Sequence, residues 1–322
     1  MTATTGSSSR PTIILDCDPG LDDAVAIAMA LSLTDVVGIT TVGGNVGVDM
    51  TTRNALVVCE LLGRTDVPVH AGHDEPFAGT SLQRAADVHG PNGMGDTELP
   101  EPSRRASDTD AVDAILAASE EHDDLWLVAT GPLTNLAHAV TVDPKLPQRV
   151  VGLSWMGGSH TNGNVTAAAE FNAWADPEAM NVVFDAGFDQ LLMHGLGVTH
   201  TVLLDDLWID RLGAGGESGD ELAATFASLL RFYRDRQAER VSLDGAAVHD
   251  ALAVLHPARP DLFSFERHRV EAIVDGAARG MTLIDQRPLP DPAAGNVDVV
   301  LSADADAIRD IMWTALTSHC DA

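Results

Sequence analysis

The sequence predicts an α/β protein, with an open, mostly parallel sheet flanked by helices and a small C-terminal extension of strands and one helix. Short apolar, β-branched runs alternate with helical patterns over the first two thirds of the chain. Several of these runs end in glycine, proline or asparagine. Residues 267–301 then change to short strands with turns, before an amphipathic helix over 303–318. Such alternation is typical of parallel strands with right-handed crossovers, the Rossmann-like arrangement.

The first apolar run, residues 13–15, leads directly into an unusually acidic stretch. Four carboxylates follow within eight residues: Asp16, Asp18, Asp22 and Asp23. Pro-Gly forms the turn between strand and helix, and the last two aspartates fall in the first helical turn. Two carboxylates ~5 Å apart repel by about 3 kcal/mol at an effective dielectric near 20, against roughly 0.3–1 kcal/mol of help from a helix end. A cation is therefore expected, and an all-oxygen ligand set favours Ca²⁺ or Mg²⁺.

Later strand ends add polar groups that would face the same crevice, because parallel strands present their carboxyl ends at one edge of the sheet. The run over residues 36–42 ends in Gly-Gly-Asn45, which on its own is more typical of a turn than of a site. The run over 125–129 ends at Thr130, whose backbone carbonyl is free to face a hard cation. The turn and the site interpretations both stay open for these positions.

A third polar set follows the predicted strand over residues 150–156. Asn164, Glu170 and Asn172 offer hydrogen-bonding side chains of the kind that sugar hydroxyls require. The structural alternative is that Glu170 caps a turn and that Asp176, before a proline, starts the next helix. These residues alone do not decide between the two.

Three further candidates for the site lie in a long loop, in a helix and at the start of a helix. His89 falls in the irregular segment 72–106, and loops of that length are often lids, although a loop histidine is more often simply solvated. Tyr233, the only tyrosine, lies in the helical segment 222–237 and would either pack in the core or shield a pocket. His249-Asp250 begins another helix, either as a cap with a neighbouring histidine or as an acid beside a metal ligand.

The composition limits the partners. The formal charge is −29 and Lys145 is the only lysine, so nucleic acid and anionic membranes are not expected partners. We favour adaptation to high salt over a GC-rich genome as the origin of this acidity. Three widely spaced cysteines indicate a reducing, cytoplasmic setting. Residues 1–10 are predicted to be a flexible tail, and 11–322 one α/β domain, with no apolar run long enough for a membrane.

With these pieces in order, the chain resembles the inosine–uridine-preferring nucleoside hydrolase family. The resemblance spans about residues 12–320, and its most specific part is the acidic stretch Asp16-Cys17-Asp18-Pro19-Gly20-Leu21-Asp22-Asp23. The remaining motifs follow in register: Gly44-Asn45, Thr130-Gly131-Pro132-Leu133-Thr134-Asn135, Met156-Gly157-Gly158, Asn164, Glu170-Phe171-Asn172 and His249-Asp250.

The resemblance implies a Ca²⁺-dependent N-glycosidase that cleaves ribonucleosides to ribose and free base, in purine and pyrimidine salvage, as a homodimer or homotetramer. It implies that calcium is bound by Asp18, Asp23, Asp250 and the Thr130 carbonyl, with Asp18 also the general base on a calcium-bound water and Asp16 orienting the others from behind. The implied sugar contacts are Asp22, Asn45, Met156, Asn164, Glu170 and Asn172. The implied base-side residues are His249 as the acid, His89 as a lid residue, Phe171 and Tyr233.

The chain departs from the family pattern at two places. Gln237 follows Tyr233 by one helical turn where relatives often carry a second aromatic, and Ala251 stands where many have proline. Both departures leave the base preference open. The rivals are a haloacid dehalogenase-type phosphotransferase, which needs a lysine beside the phosphate, and a nucleoside-binding protein without activity.

Overall fold

The computed structural model describes residues 10–79, 84–95, 97, 99–217, 220–241, 243–287 and 295–317. The strands are β1 (Thr12–Cys17), β2 (Asp35–Thr41), β3 (Val69–Ala71), β4 (Leu125–Ala129), β5 (Gly152–Met156), β6 (Leu191–His194), β7 (Leu203–Leu204), β8 (Ala246–Ala247), β9 (Phe263–Ala272), β10 (Thr282–Asp285) and β11 (Val297–Ala303). The helices are α1 (Leu21–Leu33), α2 (Val48–Leu61), α3 (Ala86–His89), α4 (Ala111–Glu121), α5 (Thr134–Val142), α6 (Leu146–Arg149), α7 (Phe171–Ala175), α8 (Pro177–Phe184), α9 (Leu196–Thr199), α10 (Asp206–Glu217), α11 (Glu221–Arg240), α12 (Asp250–Leu255) and α13 (Ala305–Thr317).

Nine strands form one sheet in the order β10-β9-β11-β6-β5-β4-β1-β2-β3. β1 to β6 are parallel, and β11 joins β6 in the same direction. β9 then pairs antiparallel with β11, and β10 antiparallel with β9. The predicted open, mostly parallel sheet is confirmed, and the C-terminal strands continue this sheet at one end.

The order in which successive strands are added to the sheet reverses beside β1. β2 and β3 lie on one side of β1, whereas β4, β5 and β6 lie on the other. Asp16 of β1 is level with Ala129 of β4, and the Thr130 N–H donates to the Asp16 carbonyl at 2.8 Å. In open α/β sheets such a reversal opens a crevice at the carboxyl ends of the strands, where ligands bind.

Both faces of the sheet are covered. Ile13 and Leu15 of β1 pack into one apolar cluster with α1, α12 and α13, while Ile14 points to a second cluster with α4, α5 and α8. This alternation is the two-residue period of a strand that is buried on both sides. The continuous apolar runs of the sequence follow from that burial.

The predicted elements agree with the structure except near their ends. α5 begins at Thr134, after the short segment Gly131-Pro132-Leu133 that follows β4 and Thr130. β3 begins at Val69, since Pro68 has no N–H to donate to a ladder. The predicted N-terminal tail lies, apart from Arg10, outside the described residues. Among the helices described, none is long and apolar enough to cross a membrane.

Candidate active site

The carboxyl ends of β1, β4 and β5 open onto one cavity, which α3, α7, α11 and α12 surround. Thirteen of the fourteen residues proposed from the sequence to contact the cation or the substrate line it: Asp18, Asp22, Asn45, His89, Thr130, Met156, Asn164, Glu170, Phe171, Asn172, Tyr233, His249 and Asp250. The fourteenth, Asp23, is buried beside them. The fold therefore brings together side chains that are separated by more than 200 positions.

Asp18 is held in a close-fitting site just after β1. Its Oδ2 accepts the Asn45 backbone N–H at 2.7 Å, and its carbonyl accepts the Asn45 side-chain amide at 3.1 Å. A Cβ on Gly44 would lie 2.0 Å from Asp18 Oδ2, and one on Gly131 would lie 2.8 Å from Oδ1. Both glycines therefore allow the backbone to approach the carboxylate. The Gly-Gly-Asn sequence is a turn, and it also contributes Asn45 to the cavity wall.

Asp22, Asp23 and Asp250 form the tightest acidic group, with one oxygen from each within 4.8 Å of the others. α1 begins at Leu21 and α12 at Asp250, so two helix N-termini meet at this group. Asp23 accepts hydrogen bonds from Thr130 Oγ1 at 2.8 Å and from the Gly20 N–H at 2.9 Å. Tyr233 donates its hydroxyl to Asp22 Oδ2 at 2.8 Å.

Burial dominates the electrostatics of these carboxylates. It raises the pKa of Asp22 to about 7, with a further rise from the charge of Asp23. Burial also raises the pKa of Asp18 and Asp250 well above the usual range, and the neighbouring carboxylates add to it. No arginine or lysine in the described parts of the chain forms an ion pair with any of them. The cluster consists of buried acids without a positive partner.

Asp16 lies behind the cluster. Its Oδ1 accepts from Thr40 Oγ1 at 2.6 Å and from Asn135 Nδ2 at 2.8 Å, whereas its buried Oδ2 has no partner. Burial raises the pKa of Asp16 to about 6, although both hydrogen bonds lower it. Asn135 also donates to the Thr41 carbonyl and accepts from the backbone N–H of His73.

Glu170 and Asn172 line the cavity beside the ends of β4 and β5. Glu170 caps α7 by accepting the backbone N–H groups of Asn172 and Ala173, and it also accepts the Gly158 N–H at 2.8 Å. The capping interpretation is therefore correct, and Glu170 lines the cavity as well. Asn172 donates to the Thr130 carbonyl at 2.7 Å and to the Met156 carbonyl at 3.0 Å. Asp176 caps α8, as expected.

Two histidines bound the cavity on the helical side. His89 is 94% buried, so it is not a solvated loop residue. Its Nδ1 accepts the Leu21 N–H at the start of α1. Its ring lies 5.5 Å from that of Tyr233. His249 precedes α12, with Nδ1 2.7 Å from Thr199 Oγ1 and Nε2 3.3 Å from Gln237 Nε2. Burial lowers the pKa of each histidine to about 3.

The cavity also contains residues that sequence reasoning missed. These are Arg84, Ala85, Asp87, Val88, Val165, Trp174, His200, Arg240 and Val241. An ion pair between Arg240 of α11 and Asp87 of α3 joins two sides of the cavity mouth. Because the partners are 153 positions apart, no local pattern in the sequence could have indicated it.

The family model of inosine-uridine preferring nucleoside hydrolases matches residues 13–310. The chain belongs to this family. It is 39% identical to uridine nucleosidase 1 of Arabidopsis thaliana, over 85% of this chain and 82% of that protein. It is 38% identical to the pyrimidine-specific ribonucleoside hydrolase RihA of Enterobacter sp. (strain 638), over 85% and 87% of the two chains.

A solved structure of a related enzyme also has this fold. A purine-preferring ribonucleoside hydrolase from Gardnerella vaginalis superimposes with a TM-score of 0.89 at 32% identity, over 96% of this chain and 98% of the other. The prediction of a nucleoside hydrolase is thus confirmed at the level of the family and enzyme class. Because these relatives are named for different bases, family membership leaves the base preference of this chain open.

The donor set also fits a divalent cation. Every acidic group in the cluster offers hard oxygen ligands, the group is buried, and Asp16 Oδ2 is left without a hydrogen bond. By contrast, Lys145 directly precedes α6, at the end of the sheet away from the cavity, and does not line it. The phosphotransferase alternative therefore lacks its lysine.

Gly44 and Gly131 hold the Asp18 carboxylate between them as a clamp, and this clamp gives a direct prediction. We expect Gly44→Ala to lower the free energy of unfolding by about 1–3 kcal/mol, because the new Cβ overlaps the Asp18 carboxylate. Gly38→Ala on β2 is the matched control, since its Cβ would meet nothing closer than 3.6 Å. Urea unfolding of both variants measures the difference. Equal losses in the two variants would contradict the clamp.

Proposed function

We propose that this protein is a Ca²⁺-dependent hydrolase of the N-glycosidic bond of ribonucleosides of the uridine and inosine type. The observation that carries the proposal is the buried acidic cluster at the carboxyl edge of the sheet, which has no positive partner among the described residues, in a chain of the nucleoside hydrolase family. Asp18, Asp23, Asp250 and the Thr130 carbonyl would hold the cation. Asp22 is an additional oxygen donor close to the same group.

When bound, Ca²⁺ would lower the pKa of a coordinated water and orient it towards the sugar. Asp18 is then the general base, since it borders the cavity and the clamp of Gly44 and Gly131 limits its movement. Cleavage of an N-glycosidic bond builds positive charge on the ribose. The carboxylates around the cavity stabilise that charge, so no covalent nucleophile is required.

The ribose would lie between the acidic cluster and α7. Asn172 uses both amide hydrogens on the Thr130 and Met156 carbonyls, so its Oδ1 is the atom left to accept a sugar hydroxyl. Asn45 similarly directs its amide hydrogens to Asp18 and Asp23. The other proposed sugar contacts are Asp22, Met156, Asn164 and Glu170.

The base would face the histidines and α11. His249 is the proposed acid for the leaving base, and His89, Phe171 and Tyr233 would surround the base. In the free protein His249 is neutral near pH 7, because burial lowers its pKa. The negative charge that develops on the departing base would favour a protonated imidazole beside it.

We expect the purified protein with Ca²⁺ to release ribose from uridine or inosine, and chelation by EDTA to stop the release. Asp18→Asn should lower kcat at least about 10³-fold, because it removes the base and replaces a charged calcium ligand with a neutral one. Asp35→Asn, on an exposed residue at the opposite edge of the sheet, is the control. Reducing-sugar assays measure turnover. Absence of sugar release from every common ribonucleoside would refute the proposal.

The acid role of His249 has a separate test. His249→Ala should slow uridine hydrolysis about 10²-fold or more, since an unprotonated pyrimidine is a poor leaving group. Hydrolysis of a p-nitrophenyl riboside should be nearly unchanged, because nitrophenolate leaves without a proton. Steady-state kinetics on the two substrates compare these effects. An equal loss on both would exclude His249 as the acid.

The remaining parts of the proposal concern assembly and surroundings. We propose that the chain consists of a flexible tail and one domain, that it forms a homodimer or homotetramer, and that it is cytoplasmic.

We also propose adaptation to high salt. The acidic composition supports this adaptation, because salt screens repulsion among exposed carboxylates. We expect the melting temperature to rise between low and molar KCl, and light scattering to give two or four protomers. A flat salt response or a monomer would overturn the corresponding part.

A further inference from the structure

His249 is held at both ring nitrogens by residues that the sequence did not single out for catalysis. Thr199 Oγ1 lies 2.7 Å from Nδ1, and Gln237 Nε2 lies 3.3 Å from Nε2. Thr199 is fully buried, and Gln237 is 5% exposed. The contact with Thr199 therefore lies inside the protein, and the contact with Gln237 lies at the cavity wall.

The backbone of β8 determines the direction of these hydrogen bonds. Gln237 Oε1 accepts the Ala247 N–H at 2.8 Å, and Gln237 Nε2 donates to the Ala247 carbonyl at 3.1 Å. This pairing fixes the orientation of the amide, so the group that meets His249 Nε2 is an N–H donor. Nε2 of neutral His249 is therefore the acceptor. The ring proton lies on Nδ1 and is donated to Thr199 Oγ1.

We propose that Thr199 is a positioning residue for His249, an inference that rests on the proposed acid role of that histidine. A hydroxyl oxygen that accepts the Nδ1–H holds the plane of the ring and leaves Nε2 on the side of Gln237, which lines the cavity. The Thr199 contact is kept in both states, because Nδ1 carries a hydrogen in the neutral and in the protonated imidazole. Nε2, once protonated, no longer accepts from Gln237, and its proton is the one available to the leaving base. Orientation of a catalytic histidine through its second nitrogen is a general requirement of acid–base catalysis.

The fold makes Thr199 well suited to this task. It ends α9, the short helix after β6, and its backbone N–H donates to the Gly195 carbonyl at 3.1 Å. Its two neighbours differ in character: Val198 is in the core, and the His200 ring lies 5.4 Å from that of His249. The hydroxyl is thus presented by a rigid, buried backbone.

The test compares variants that differ in one hydroxyl. We expect Thr199→Val, which keeps the shape, to lower kcat on uridine about tenfold, with KM within about twofold. Thr199→Ser should recover most of the loss. On the p-nitrophenyl riboside the Val variant should stay within about twofold of the unmodified protein. Thr201→Val is the local control, since the Thr201 hydroxyl bonds only to the Val198 carbonyl.

A double-mutant cycle completes the test. In a His249→Ala background, Thr199→Val should have no further effect on uridine hydrolysis, because the residue that it positions is gone. Additive losses, equal losses on both substrates, or failure of serine to recover activity would each overturn the proposal. If Thr199→Val does not fold, Thr199→Ala takes its place in the same cycle. Failure of the proposed function would be visible earlier, as an unmodified protein that hydrolyses no ribonucleoside.

Discussion

The burial of several carboxylates at one sheet edge is the constraint on which the rest of this structure depends. An isolated buried charge is costly, and like charges a few ångströms apart add to the cost. The fold offsets it with hydrogen-bond donors from distant parts of the chain: the Gly20 and Asn45 N–H groups, the Thr40, Thr130 and Tyr233 hydroxyls and the Asn135 amide. These donors satisfy oxygens without neutralising charge, so the site keeps its affinity for a cation.

The topology provides the location. Because the chain reverses beside β1, the ends of β1 and β4 lie next to each other with an open crevice above them. α1 and α12, which pack together in one apolar cluster, direct their N-termini to the same point. Each helix end contributes a modest attraction for negative charge. Convergence of strand ends and helix starts, rather than any single strong contact, places the acids where a ligand can reach them.

The sequence predicted most of the fold, because the signals of its strands and helices are local, whereas most of the cavity wall was predicted only through the resemblance to the nucleoside hydrolase family. β1, its turn and the acids of α1 occupy consecutive positions, and the strands are recognisable from continuous apolar runs. The contacts of His249 with Thr199 and Gln237 are not local, since 50 and 12 positions separate the partners. Nothing in a threonine within an apolar stretch indicates a histidine partner.

Asn135 has a consequence for how far this sequence can vary. Its amide uses both hydrogens, on Asp16 and the Thr41 carbonyl, and its oxygen accepts from His73. Aspartate at this position would exchange a donor for a further negative charge beside Asp16, and leucine would leave buried partners unsatisfied. A Cβ on Gly72 would come within 2.5 Å of this same amide, so a longer glutamine has no room to adjust. In a library randomised at position 135, asparagine should be nearly the sole survivor, although it does not line the cavity.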